Sequence, residues 1–129
     1  MVARLKKVPL EKDSQKVILA WLRSKGCLAL RINSGKHHYR PPGAKRTYLF
    51  RATDTESVSD IIVMLPERCG GLFCAFEVKR EGKLDKTTPL RRVAQESFLA
   101  DVRRRGGVAA FVTSIEDVEA ALASRGIKL

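Results

Sequence analysis

Between Ser59 and Arg80 the chain runs Ser-Asp-Ile-Ile-Val-Met-Leu-Pro, passes Gly70-Gly71, and resumes as Leu-Phe-Cys-Ala-Phe-Glu-Val-Lys-Arg. No other stretch limits the fold as much. Two apolar runs of strand length, on either side of Pro66 and the glycine pair, predict an antiparallel hairpin with a long loop. Side chains alternate along a strand, so Glu77 and Lys79 share one face while Phe76 and Val78 take the other. In an antiparallel pair the start of one strand lies beside the end of the other, which brings Asp60 to Glu77. Two carboxylates and an ammonium then converge at one end of a sheet. Carboxylates so placed repel unless a lysine or a divalent cation neutralises them. Hard oxygen donors in small number suit Mg²⁺, which keeps several waters and takes phosphate oxygens as its other ligands. A Glu-x-Lys at a strand end also occurs as a plain solvated ion pair. The neighbouring Asp60 and the charge of the whole chain favour the chemical reading.

That charge is large. Twenty-five Lys and Arg against 14 Asp and Glu give +11 in 129 residues, an excess that suits a polyanionic partner, nucleic acid before an anionic membrane. The apolar runs are too short to span a bilayer. Met1 to Lys7 is basic, but Glu11, Lys12 and Asp13 follow where a signal peptide needs an apolar segment. The length suits one domain with one core, and 44% hydrophobic residues are ordinary for a globular chain. Cys27, Cys69 and Cys74 have no framework spacing and fit a reduced, intracellular protein.

The remaining elements follow from periodicity and punctuation. Residues 1 to 8 form a basic arm. Leu10 to Lys25 is predicted as a helix with Leu10, Val17, Ile18, Trp21 and Leu22 in one stripe and Gly26 as its stop. Glu11 in its first turn complements the helix dipole. Cys27 to Ile32 is a short strand, then Asn33-Ser34-Gly35 turns into a basic loop, Lys36-His37-His38-Tyr39-Arg40, followed by Pro41-Pro42-Gly43 and Lys45-Arg46. Lys, Arg and Tyr in such a loop suit phosphates and bases. Thr47 to Ala52 is a strand leading through a turn around Asp54. After Lys79 comes a charged turn with Lys83 and Lys86, and Thr88-Pro89 caps a helix to Arg105. Leu90, Val93, Ala94, Phe98 and Val102 form its expected apolar face. Gln95 lies at the margin of that stripe, and Arg91, Arg92, Arg103, Arg104 and Arg105 are expected in solvent. Gly106-Gly107 ends the helix, Val108 to Thr113 is a strand, and Ser114 with Asp117 caps a last helix to Ser124, with Val118, Ala121 and Leu122 inward. The order is helix, four strands, helix, strand, helix. Strand 72–80, helix 89–105 and strand 108–113 form a parallel βαβ crossover beside an otherwise antiparallel sheet.

This ordered set resembles the PD-(D/E)xK nuclease superfamily, and within it the virus-type replication-repair nucleases, or VRR-NUC domains. The matching residues are Glu11, Arg31-Ile32-Asn33-Ser34-Gly35, Ser59-Asp60, Phe76-Glu77-Val78-Lys79, Gly82-Lys83-Leu84, Gln95 with Phe98-Leu99, and Gly106-Gly107-Val108. They span about residues 10 to 122 of a single domain. Ser59 stands where the family often has proline. The resemblance implies an α/β, restriction-endonuclease-like mixed sheet flanked by helices. It implies a DNA endonuclease of phage or bacterial cytoplasm serving repair, structure-selective in the manner of Holliday-junction resolvases and acting as a homodimer. Asp60, Glu77 and the carbonyl of Val78 would hold Mg²⁺ or Mn²⁺, with Glu11 adding a carboxylate directly or through water. Lys79 would orient the attacking water, and Gln95 would point to the same centre. Ser34, Lys36, His37, Arg40, Lys45, Arg46, Lys83 and Lys86 would contact DNA.

Two other readings of the same residues stand beside it. One is a basic DNA-binding module of the same fold without catalysis, which the intact Asp60, Glu77 and Lys79 disfavour. The other is a zinc-bridged protein using His37, His38 and the cysteines, whose spacing matches no established zinc pattern.

Overall fold

The computed structural model describes residues 7–33, 36–51, 57–82 and 85–129, with backbone alone at 36, 37, 50 and 51. Most of the basic arm, Ser34, Gly35, Asp54, Lys83 and Leu84 lie outside the described residues, as do the side chains of Lys36 and His37.

Helix α1 spans Glu11–Ser24 and is followed by strand β1, Leu28–Arg31. Strands β2, Lys36–Tyr39, and β3, Tyr48–Arg51, come next, then β4, Ile61–Met64. A single 3₁₀ turn at Glu67–Cys69 leads to β5, Phe73–Val78. Helix α2, Pro89–Arg104, strand β6, Val108–Val112, and helix α3, Ile115–Ala123, complete the chain. The main sheet has the order β1-β4-β5-β6: antiparallel across its first three strands, parallel between β5 and β6. The mixed α/β sheet flanked by helices is therefore as expected. The strand count is not. The segment expected as a basic loop forms β2, which pairs antiparallel with β3 in a separate two-stranded sheet. β3 belongs there and not to the main sheet.

Alternation decides the layers. Ala29, Ile61, Val63, Cys74, Phe76 and Val78 point to one face, where Ile18 and Leu22 of α1 and Val118 and Leu122 of α3 close the main core. Each such aliphatic or aromatic side chain contributes roughly 1.5–3 kcal/mol by burial. Among the described residues the other face is covered by α2, through Leu99 and Val102 on Ala75 and Ala109. It is the thinner layer, and Leu28, Leu30, Met64 and Phe73 stay exposed beside it.

The caps hold as expected. Thr88 Oγ1 accepts from Arg91 N at 3.4 Å with Pro89 as the first helical residue. Ser114 Oγ accepts from Asp117 N, while Asp117 Oδ2 accepts from Thr113 N at 2.7 Å. The stripes need correction. In α1 the buried positions are Gln15, Ile18, Leu19 and Leu22, with Val17 and Leu10 outside. In α2 they are Gln95, Leu99 and Val102, and Leu90 is 84% exposed with Val93 and Ala94 also in solvent. Val102 is inward as expected and Phe98 packs against the same cluster, but in the first half of the helix a glutamine, and not Leu90, Val93 or Ala94, faces the sheet. The reason lies across the interface, where β5 presents Glu77.

Two glycines close the turn into β6. Gly106 adopts φ 88°, the left-handed region that glycine enters freely. A Cβ on Gly107 would sit 2.7 Å from the carbonyl oxygen of Phe73 and 2.6 Å from Val102 Cγ1, so α2 meets β5 only because that position is bare.

Candidate active site

Asp60 is the residue before β4, and the pairing of Ile61 with Phe76 sets it beside Glu77. Its position is fixed twice. The backbone carbonyl accepts from Ile32 N at 2.7 Å, and Oδ2 accepts from Val78 N at 2.8 Å. Ser59, where a proline would have stiffened the approach, is buried and donates its hydroxyl to Ile61 O at 3.0 Å. The bend into β4 is thus held by a hydrogen bond in place of a ring.

Glu77 is buried on the α2 face, and its Oε1 accepts from Gln95 Nε2 at 3.1 Å. Burial pushes its carboxyl up to about 8, and the charge of Asp60 and a hydrogen bond with it push the same way, against the pull of Lys79. Gln95 leaves its own Oε1 buried with no partner among the described residues. An orphaned buried acceptor costs about 1–3 kcal/mol.

Lys79 follows Glu77 on the same face and is only 7% exposed. Its Nζ donates to Thr87 Oγ1 at 2.7 Å, and Thr87 in turn donates to Asp85 Oδ1 at 2.6 Å. Asp85 Oδ2 accepts from Arg92 at 3.0 Å, and the Arg92 guanidinium lies over the Phe111 ring at 4.2 Å. Lys79 Nζ stands 5.8 Å from the same ring. The Thr87 hydrogen bond holds the Asp85 carboxyl below the usual range, with help from the charges of Lys79 and Arg92. Lys79 is therefore seated by a chain of partners: hydroxyl, carboxylate, guanidinium, ring. Thr87, Asp85, Arg92 and Phe111 were not among the expected site residues. The only local signal was the Asp-x-Thr spacing ahead of a helix cap, and Arg92 was expected in solvent.

Four of the expected residues thus come together: Asp60, Glu77, Lys79 and Gln95. Glu11 makes no hydrogen bond or ion pair with them among the described residues. It is the first residue of α1, and the Arg80 guanidinium does reach the Val8 carbonyl nearby, at 3.4 Å. Yet among the described residues no three carboxylate, imidazole or thiol groups gather closely enough to hold a metal ion. Val78 enters the site through its N–H, the donor to Asp60. Arg40, Lys45, Arg46 and Lys86 are exposed, the first three around the β2–β3 hairpin.

The pair Asp60 and Glu77 fits a hard divalent cation: two carboxyl groups within hydrogen-bonding reach, one of them holding a proton that a cation would displace. Zinc on Cys74 fits poorly, because burial pushes that thiol up to about 12 and disfavours the thiolate a metal needs. Among the described residues no helix is long and apolar enough to cross a membrane. Set beside models of known protein families the chain matches none, and a search among curated proteins finds no match.

Proposed function

We propose that the chain is a metal-dependent phosphodiesterase that cuts DNA, of the PD-(D/E)xK kind. The observation that carries this reading is the meeting of a half-buried Asp60 with a buried Glu77, with Gln95 bonded to Glu77 and a buried Lys79 beside them. Asp60 and Glu77 would hold Mg²⁺ or Mn²⁺, which when bound supplies Lewis-acid polarisation of a phosphate oxygen and a more acidic water. Asp60 Oδ2 is kept in place by Val78 N, so the carboxylate has a fixed direction. Gln95 fixes Glu77 in the same way. Lys79, seated on Thr87, offers its other N–H donors to an attacking water and to the charge that grows on phosphorus-bound oxygen. The water oxygen bonds to phosphorus as the phosphorus–oxygen bond to the leaving sugar breaks in line, the water giving up a proton to solvent and the departing sugar oxygen taking one up from it. The formal charge of +11 supports DNA as the substrate, with binding that weakens as salt rises.

The exposed apolar residues Leu28, Leu30, Met64 and Phe73 on one face of the sheet support a homodimer. The deciding assay is nicking of supercoiled plasmid and a branched substrate with Mg²⁺ or Mn²⁺. Asp60→Asn, Glu77→Gln and Lys79→Ala should each lower the rate by about a hundredfold or more. Full activity in all three variants would overturn the assignment.

A further inference from the structure

The chain leaves the main sheet at Ile32 and returns at Asp60, and these two residues are joined backbone to backbone at 2.7 Å. The β2–β3 hairpin lies within that excursion. Its pairing sets Tyr39 directly opposite Tyr48, so both rings stand on one face. They are the chain's only two tyrosines. Neither ring serves a core: Tyr39 is 54% and Tyr48 56% exposed, and His38 and Leu49, opposite each other on the other face, are exposed too. The end of the hairpin is stiff. Ala44 N donates to Pro41 O at 3.0 Å around Pro42 and a left-handed Gly43, and Arg40 Nε donates to Ala44 O at 2.9 Å. Arg40, Lys45 and Arg46 flank the rings and are exposed.

We infer that the Tyr39–Tyr48 face of this hairpin is a stacking platform for unpaired DNA bases, with Arg40, Lys45 and Arg46 holding the adjoining phosphates. Every base has a π face, so aromatic side chains on a cationic ledge bind single strands with little regard to sequence. A blunt duplex has its bases stacked on each other and offers the rings nothing but its ends. The stretch from Ile32 to Tyr39 spans at most roughly 25 Å, so a strand held here lies within a few nucleotides of Asp60. This rests on the nuclease reading and narrows it: the substrate class becomes DNA with an unpaired segment beside the cleaved bond.

The test is binding of fluorescently labelled oligo(dT) and of a blunt duplex, by anisotropy, with chelator present so that no cleavage occurs. The parent should prefer oligo(dT). Tyr39→Leu and Tyr48→Leu keep apolar bulk in the strands and should weaken oligo(dT) binding by about tenfold each, with the salt slope unchanged. Tyr39→Phe and Tyr48→Phe should stay within about twofold of the parent. Arg40→Ala with Lys45→Ala and Arg46→Ala should flatten the salt slope. Parent-like oligo(dT) binding by the double leucine variant, or equal losses in the leucine and phenylalanine variants, would overturn the platform. Intact binding by a chain that never nicks DNA would overturn the nuclease reading and leave the platform standing.

Discussion

The hydroxyl of Thr87 accepts a hydrogen bond from Lys79 at 2.7 Å and passes its own proton toward Asp85 at 2.6 Å. A threonine so placed fixes the direction of an ammonium without neutralising it. The Asp85 carboxylate is kept one bond further off.

Thr87 is therefore a positioning residue for Lys79. Thr87→Val removes the acceptor and keeps the shape. It should lower kcat for DNA cleavage by about tenfold to a hundredfold with little change in KM, because binding by distant cations is untouched. Thr87→Ser should restore most of the rate. Equal losses in the valine and serine variants, or a loss confined to KM, would remove Thr87 from this role.

Glu77 makes stability depend on pH. In the folded chain its carboxyl keeps its proton up to about 8, against an ordinary value of 4.5. The stability it contributes is complete below the ordinary carboxylate range and is lost as pH rises toward 8. Other groups titrate as well, so the comparison is with Glu77→Gln. In chelator, the Tm advantage of the glutamine variant over the parent should widen from about pH 5 to about pH 9. Mg²⁺ or Mn²⁺ should narrow the gap by stabilising the parent alone. A constant gap across that range would show that Glu77 ionises as it would in water.

Gly107 tests the close approach of α2 to β5. Gly107→Ala places a methyl against the Phe73 carbonyl and Val102. Overpacking of that kind should cost about 2–3 kcal/mol, measured by urea unfolding. Adding Val102→Ala should recover part of it, since Val102 is one of the two contacts.

The uncovered sheet face tests the assembly. Phe73 pairs with Met64 across β5 and β4, and Leu28 pairs with Met64 across β1, so the three form a continuous row. If a second copy sits there, Met64→Lys with Phe73→Lys should shift the mass by light scattering from dimer to monomer. Monomeric parent protein at working concentration would dismiss the dimer.

Much of this fold is written in the chain. The β4–β5 hairpin was legible because Pro66 and Gly70-Gly71 break two apolar runs, and the alternation of Phe76, Glu77, Val78 and Lys79 assigns their faces without further help. The inward face of α2 was legible only in part. Its apolar residues at 90, 93, 94, 98 and 102 form a better stripe than Gln95, Leu99 and Val102 do; Val102 is inward and Phe98 partly so, but only the buried Glu77 opposite makes the glutamine the right inward residue in place of Leu90, Val93 and Ala94. β2 was hidden for a different reason. Lys-His-His-Tyr carries no alternation, and the described side chains on both faces of the hairpin, His38, Tyr39, Tyr48 and Leu49, lie in solvent. The seat of Lys79 depends on a loop meeting a helix and a neighbouring strand, contacts that no local spacing encodes.

The bond between Ile32 and Asp60 closes the base of the hairpin excursion. The described strands of the hairpin pair with each other and not with the main sheet, so the hairpin is a place where the chain can be shortened, lengthened or exchanged while the strands that carry Asp60 and Glu77 keep their pairing. Specificity and chemistry are thereby free to change at different rates. Grafting a different hairpin onto this clasp is a direct way to retarget the chain.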